Sequence, residues 1–348
     1  IENAASFRAN GTGPFRVRER QPSVRTTFSR NGNYWGKIPG NVDEVIFSVI
    51  GNDATRVAAM MSGELDVMEP VPVQDVERLK ANDKLKVLQG PELRAIFLGM
   101  DQKRDELLFS NVKGKNPFKD IRVRKAFYQA IDIETIKSRV MRGAATPLAL
   151  MYPPQVNGFP ADLAKRLPFD VEASKKLLAE AGYPNGFEVK MNCPNARYVN
   201  DAEICQAVAA NSAKVGGKIN LEAETKGTYF PKILSRNTSF YMLGWTASTV
   251  DAHNVMYPIL STPGDGGRGQ INLGAYSNPK VDELTAKVAS ETDQKKRNEM
   301  IREAMKIHQD DVGHLPLHQQ ALNWAAKKNI ELVQFPDNGM AWKFITVK

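Results

Sequence analysis

The strongest constraint on this 348-residue chain is that strand-like and helix-like patterns alternate twice, in the first and again in the third quarter. Helices bury a stripe and strands bury a face, so each series packs as helix on sheet. Two separated series call for two α/β lobes rather than one sheet. In the first series, residues 15–20, 25–29 and 42–50 are rich in β-branched and aromatic side chains and read as strands. Residues 53–62 read as a short helix with Ala54, Val57, Ala58 and Met61 on its apolar face. A helix near 73–82 and strands near 85–88 and 93–100 follow. In the second series, Asp170 caps a helix over 171–181, stopped by Gly182. A strand at 187–193, a helix at 200–214, a strand at 219–224, a short helix at 229–236 and a strand at 239–246 come next. Helices at 279–290 and 295–311 and a strand at 314–320 close the pattern. No linker of low complexity separates the halves, so the crossings are expected to be structured strands, near 93–101 and 314–325.

Between the two series lies Asn116-Pro117-Phe118-Lys119-Asp120, followed by a helical pattern running to about 141. Asn116-Pro117 ends the preceding segment and Asp120 caps the helix. Val123, Ala126, Phe127 and Ala130 share one face. Arg122, Arg124, Lys125 and Gln129 fall elsewhere and are expected in water.

Charge and composition exclude several classes. The chain is 42% hydrophobic and 25% charged, an ordinary globular balance, with no apolar run long enough to span a bilayer. The formal charge is +8, but the basic residues are dispersed. The densest group, Lys295-Lys296-Arg297, opens a helix beside acidic residues and reads as a solvated face. No basic run interleaved with aromatics suggests nucleic acid as a partner. The chain opens Ile-Glu-Asn, without initiator Met or export signal, which fits a mature or truncated product.

Chemistry-bearing residues are few. Cys193 and Cys205 match no CxxC redox or zinc spacing. One closes a strand and the other lies in the next helix, so a disulfide is expected in an oxidising compartment and two thiols in a reducing one. His314 and His318 stand four apart, but Pro316 between them opposes a helix, and strand spacing is long for shared ligation. No metal site is expected there. His308 falls on the apolar face of its helix and reads as a packed histidine. The Gly264–Gly269 loop lacks the Lys-Ser/Thr ending of a phosphate loop and reads as a rim loop. The twelve methionines are scattered and read as core filler. No catalytic set of nucleophile, base and orienting group is visible, and no cofactor motif.

The landmarks recur in an order that resembles the bacterial family-5 extracellular solute-binding proteins, the peptide and nickel type that serves ABC importers. They are Gly11 to Phe15; Asn31 with Tyr34-Trp35-Gly36 and Pro39; Asp43, Val45 and Phe47; and Arg56 with Gly63-Glu64 and Asp66. Pro117 to Asp132, Leu177 to Glu188, Gly244-Trp245, Tyr276 to Leu284, Arg297 and Leu315-Pro316-Leu317 complete the series.

The resemblance implies an α/β, two-lobed periplasmic binding protein-like fold, type II of the large peptide-binding class. It places residues 1–95 and 322–348 in a partial first lobe and 96–321 in a second, ligand-binding lobe. It also implies that a first segment of lobe I and a small extra domain are lacking here. The implied function is capture of a peptide or peptide-like solute by hinge closure and delivery to membrane permease subunits, in the periplasm or otherwise outside the cytoplasm. A nickel chelate or other small organic solute is the second reading and a hydrolase the distant one.

In peptide-binding relatives an Asp three residues after the Gly-Trp pair holds the ligand's amino group. Here that position is Ser248, and Asp251, three residues on, is the alternative charge or else a helix cap. The expected ligand contacts are Trp245, Ser248, Asp251, Arg94, Phe97 and His253. Trp245 is read as a stacking platform, and Arg94 as a carboxylate binder or else a surface Arg or an inter-lobe ion-pair partner.

Overall fold

The computed structural model describes residues 9–348. The chain divides into two compact units, one running up to Gly90 and resuming at Leu322–Lys348, the other Pro91–Ala321. The first crossing falls at Gly90 rather than at residue 95, because the two short strands read near 85–88 and 93–100 are one continuous strand.

In the first unit, β1 (Phe15–Gln21), β2 (Arg25–Arg30) and β3 (Glu44–Ser48) form an antiparallel sheet in that order. Helix α1 (Asp53–Ser62) starts where Asn52 accepts from Thr55 N at 2.9 Å, and ends at Gly63 in the left-handed region, φ 85°. Its buried face is Arg56, Val57, Ala59 and Met60, rotated from the face the apolar residues alone suggest. Arg56 causes the rotation. Its guanidinium donates to Ile50 O, Pro70 O and Asp53, so it enters the interior fully bonded. After β4 (Val67–Met68) and α2 (Val76–Lys80), strand β5 (Leu85–Met100) carries the chain into the second unit.

The second unit contains α3 (Ile121–Gln129), β6 (Ala145–Pro147), α4 (Val171–Glu180), β7 (Glu188–Pro194), α5 (Asp201–Ala213) and β8 (Lys218–Glu224). Then come α6 (Lys226–Leu234), β9 (Phe240–Thr246), α7 (Pro279–Val288), α8 (Gln294–Asp310) and β10 (Leu315–Lys327). β10 returns the chain to the first unit, where its far end pairs Ala325 with Met68 of β4. The short pair β11 (Ile330–Glu331) and β12 (Thr346–Val347) completes that unit.

The sheet of the second unit runs β10-β5-β9-β7-β8. β7 is parallel to both β8 and β9, and β5 is antiparallel to β9. Both faces are covered, which is why β5 and β9 read as nearly unbroken apolar runs. Alternate residues enter two different cores. Ile96, Leu98, Met100, Phe240 and Met242 join α3, α4 and α5 on one face. Leu93, Phe97, Tyr241 and Leu243 join α6, α7 and α8 on the other. Phe118, Phe127, Phe187 and Phe240 meet ring to ring at 5.3–5.9 Å in the first core.

Two expectations change here. The helices read over 121–141 are shorter than expected: α3 ends at Gln129, and a π-turn at Ile136–Val140 follows a new cap at Asp132. Arg124 is buried instead of solvated. It donates to Phe118 O and Lys119 O at the start of α3, and to Asp311 O and Val312 O beyond α8. A guanidinium with five donors satisfies carbonyls that an apolar side chain would strand. Cys193 and Cys205 form a disulfide inside the first core. The Gly264–Gly269 loop closes as a tight turn, with Gly264 N donating to Arg268 O at 3.0 Å.

Candidate functional site

Ligands of open α/β sheets gather beyond the carboxyl ends of the parallel strands. In the second unit those are the ends of β7, β8 and β9. The antiparallel register brings Arg94 of β5 opposite Thr246 and Ala95 opposite Trp245, so the unit-two start of β5 lies at the same edge. Arg94 and Trp245 both reach this edge, but the two-residue period of the strands places them on opposite faces.

On the face of the first core stand Glu92 and Arg94. Glu92 is fully buried and Arg94 is 7% exposed. Arg94 Nε donates to Glu92 Oε1 at 2.8 Å, and Gln320 Nε2 to Glu92 Oε2 at 2.7 Å. Arg94 also lies over the ring of Tyr198, 5.6 Å from its centroid. The guanidinium is therefore bonded inside the second unit, to a carboxylate two residues away on the same strand, so Arg94 is neither a surface side chain nor, in this pair, a link between lobes.

The segment after β7 brings residues that the sequence reading did not single out. Arg197 is exposed, stacks on Tyr198 at 5.0 Å, and forms no salt bridge among the described residues. Tyr198 is buried, and its hydroxyl accepts from Gly244 N at 2.9 Å, one residue before Trp245. Asp201 holds this segment in shape by accepting from Arg197 N at 2.8 Å and Tyr198 N at 3.0 Å. Burial pushes the Asp201 carboxyl up, against these backbone donors. Nothing in spacing or composition marks Arg197, because its meaning comes from the strand end it follows.

On the opposite face, Trp245 is half-buried and packs against the second core. Its indole N–H points to Asn254, 3.0 Å from the backbone oxygen and 3.1 Å from Oδ1. Ser248 is exposed in the turn that follows β9. Asp251 accepts from Arg297 at 2.8 Å and from His253 N at 2.8 Å. Burial would raise its pKa, but the Arg297 guanidinium and the His253 amide hold it below the usual carboxylate range. Asp251 thus holds the turn through the His253 amide and is half of an ion pair, so its charge is already matched. Arg297, read from sequence as part of a solvated cluster, is turned inward instead. His253 stacks on Tyr257 with centroids 5.6 Å apart, and burial lowers its pKa. Phe97 is fully buried with its ring edge-on to His314, so in this structure it contributes packing and no exposed surface.

The histidines of HLPLH are interior. His308 Nε2 and His314 Nδ1 lie 2.9 Å apart, and His318 is wholly buried. Among the described residues no group of three or more His, Cys, Asp or Glu side chains is placed to hold a metal ion. No helix among them is long and apolar enough to cross a membrane.

The second unit thus places an exposed cation and a half-buried indole at the carboxyl edge of its parallel strands. Residues 2–267 match the family described as bacterial extracellular solute-binding proteins, family 5 Middle, and the chain belongs to that family. It is 26% identical over 311 residues to Heme-binding protein A of Haemophilus influenzae, covering 88% of this chain and 54% of that protein. It is 24% identical to the Dipeptide-binding protein of Escherichia coli K12, covering 92% of this chain and 58% of that one.

Among solved structures, the periplasmic binding protein DppA from Helicobacter pylori, in complex with the peptide STSA, superposes with a TM-score of 0.86. Its identity is 23%, over 97% of this chain and 63% of that one. MoaA of A. tumefaciens R10, in complex with mannopinic acid, superposes with a TM-score of 0.84. Its identity is 26%, over 99% of this chain and 68% of that one. The fold is thus that of the two-lobed periplasmic binding proteins. The chain spans little more than half the length of the first two relatives.

Proposed function

We propose that this chain is the solute-capturing part of a binding protein that serves an ABC importer outside the cytoplasmic membrane. It delivers a peptide or peptide-like solute to the permease subunits and performs no catalysis. The observation that carries the reading is the carboxyl edge of the second unit. There Arg197 presents an exposed cation that forms no salt bridge among the described residues, with Glu92 and Asp201 acting on it only at longer range, while Trp245 offers a half-buried ring. A guanidinium of this kind suits a carboxylate, bound through two parallel N–H donors. The indole suits an apolar or planar part of the solute. Strands β5 and β10, which carry the chain from one unit to the other, are the proposed hinge.

A second reading has specific support. Ser248 brings no charge, and Asp251 is neutralised by Arg297, so neither supplies a free carboxylate for an ammonium group. This favours an anionic organic solute, or a metal chelate bearing carboxylates, over a peptide gripped by its amino end.

Native mass spectrometry of the full-length protein, purified without refolding, tests both. A ladder of peptide masses supports the first reading. A single non-peptide mass or a metal adduct supports the second and refutes peptide capture. Steady release of cleaved products from a peptide panel would overturn the non-catalytic assignment.

A further inference from the structure

We infer that the Cys193–Cys205 disulfide is a positioning element of the solute site, resting on the reading that Arg197 contacts the solute. Cys193 lies near the end of β7 and Cys205 in the second turn of α5, twelve residues apart in sequence. The segment they enclose carries both Arg197 and Tyr198. Both cysteines are fully buried, and Cys205 lies against Met242 of β9. The bond is therefore shielded while the unit is folded.

Its position matches a need. Residues 195–197 are exposed, and the backbone N–H groups of Arg197, Tyr198 and Val199 all bond to side chains rather than to a ladder. Asp201 receives the first two, and Gln320 of β10 receives the third, at 3.1 Å. Asn200 sits in the left-handed region at φ 51°, where a non-glycine residue needs support, and its side chain donates to Val140 O at 2.8 Å. Side-chain anchors of this kind open singly. Their joint hold depends on α5, which carries Asp201, keeping its angle to β7. A covalent tie between strand and helix fixes that angle. Without it the segment gains conformers in which Arg197 leaves the edge, and affinity falls by the fraction of time it is absent.

The test compares the oxidised wild-type chain with Cys193→Val/Cys205→Ala, which keeps the core filled, and with Cys193→Ala/Cys205→Ala as a second variant. Amide hydrogen exchange of residues 195–201 is read against the strands β5 and β9 of the same unit. The expected result is exchange at least tenfold faster in the segment, with the strands unchanged. Binding of tetra-alanine, used as a probe with free termini, is expected to weaken about tenfold. Equal exchange in the segment, or acceleration spread evenly over the unit, overturns the inference. Faster exchange with unchanged tetra-alanine affinity also overturns it, because the segment then lies outside the site. Should wild type itself not bind tetra-alanine, the reading of Arg197 as a contact for such a peptide fails and the site role of the bridge falls with it, while the exchange comparison still reports separately whether the bridge orders the segment.

Discussion

Replacing Glu92 tests the interior of the proposed site most sharply. Its carboxylate is fully buried, takes Arg94 on one oxygen and Gln320 on the other, and joins β5 to β10. Glu92→Ala leaves the Arg94 guanidinium, only 7% exposed, without its counter-charge, and strands the Gln320 amide. Removing one partner of a buried pair costs about 3–5 kcal/mol, because the other charge stays desolvated. Gln320 also holds Val199 N, so the loss spreads to the Arg197 segment. Replacing both partners, Glu92→Leu with Arg94→Met, removes the stranded charge and is expected to restore stability to within about 1–2 kcal/mol of wild type. Urea unfolding followed by circular dichroism reads each variant as a midpoint shift at fixed slope. The reasoning is refuted if Glu92→Ala costs under about 1 kcal/mol, or if the double variant is as unstable as the single.

Burial lowers the pKa of His308 to about 4 and of His318 to about 3, and that of His314 well below its ordinary value. The unfolded chain then binds more protons below about pH 6.5, so stability is full above that pH and falls as pH drops towards 4. Unfolding free energies from urea at pH 7.5 and 5.0 should differ by up to about 2 kcal/mol per buried histidine, and His318→Leu should flatten the dependence. Phe97→Ala should cost about 3–5 kcal/mol of stability without ligand present; a loss under about 1 kcal/mol would refute its packing role. Arg124→Lys should destabilise by about 2–4 kcal/mol, since an ammonium cannot reach carbonyls on both α3 and the end of α8; an unchanged melting curve would sink that account.

The order of strands and helices was legible in the chain because burial imposes its period locally. The apolar runs of β5 and β9, the Asp170 and Asp120 caps and the Gly182 stop each act within a few residues. The ordered landmarks from Gly11 to Leu317 likewise pointed to the family. Tertiary structure alone decided which charges are spent and which are offered. Arg94, Arg124, Asp251 and Arg297 all look available in sequence, yet each is bonded to a partner brought up by the fold. Arg197 looks ordinary and is left exposed. The strand period also sends Arg94 and Trp245 to opposite faces, although they are neighbours across two strands. Hydrophobic patterning depends on near neighbours, whereas the availability of a charge depends on every group the fold places within a few ångströms, and those groups lie far apart along the chain.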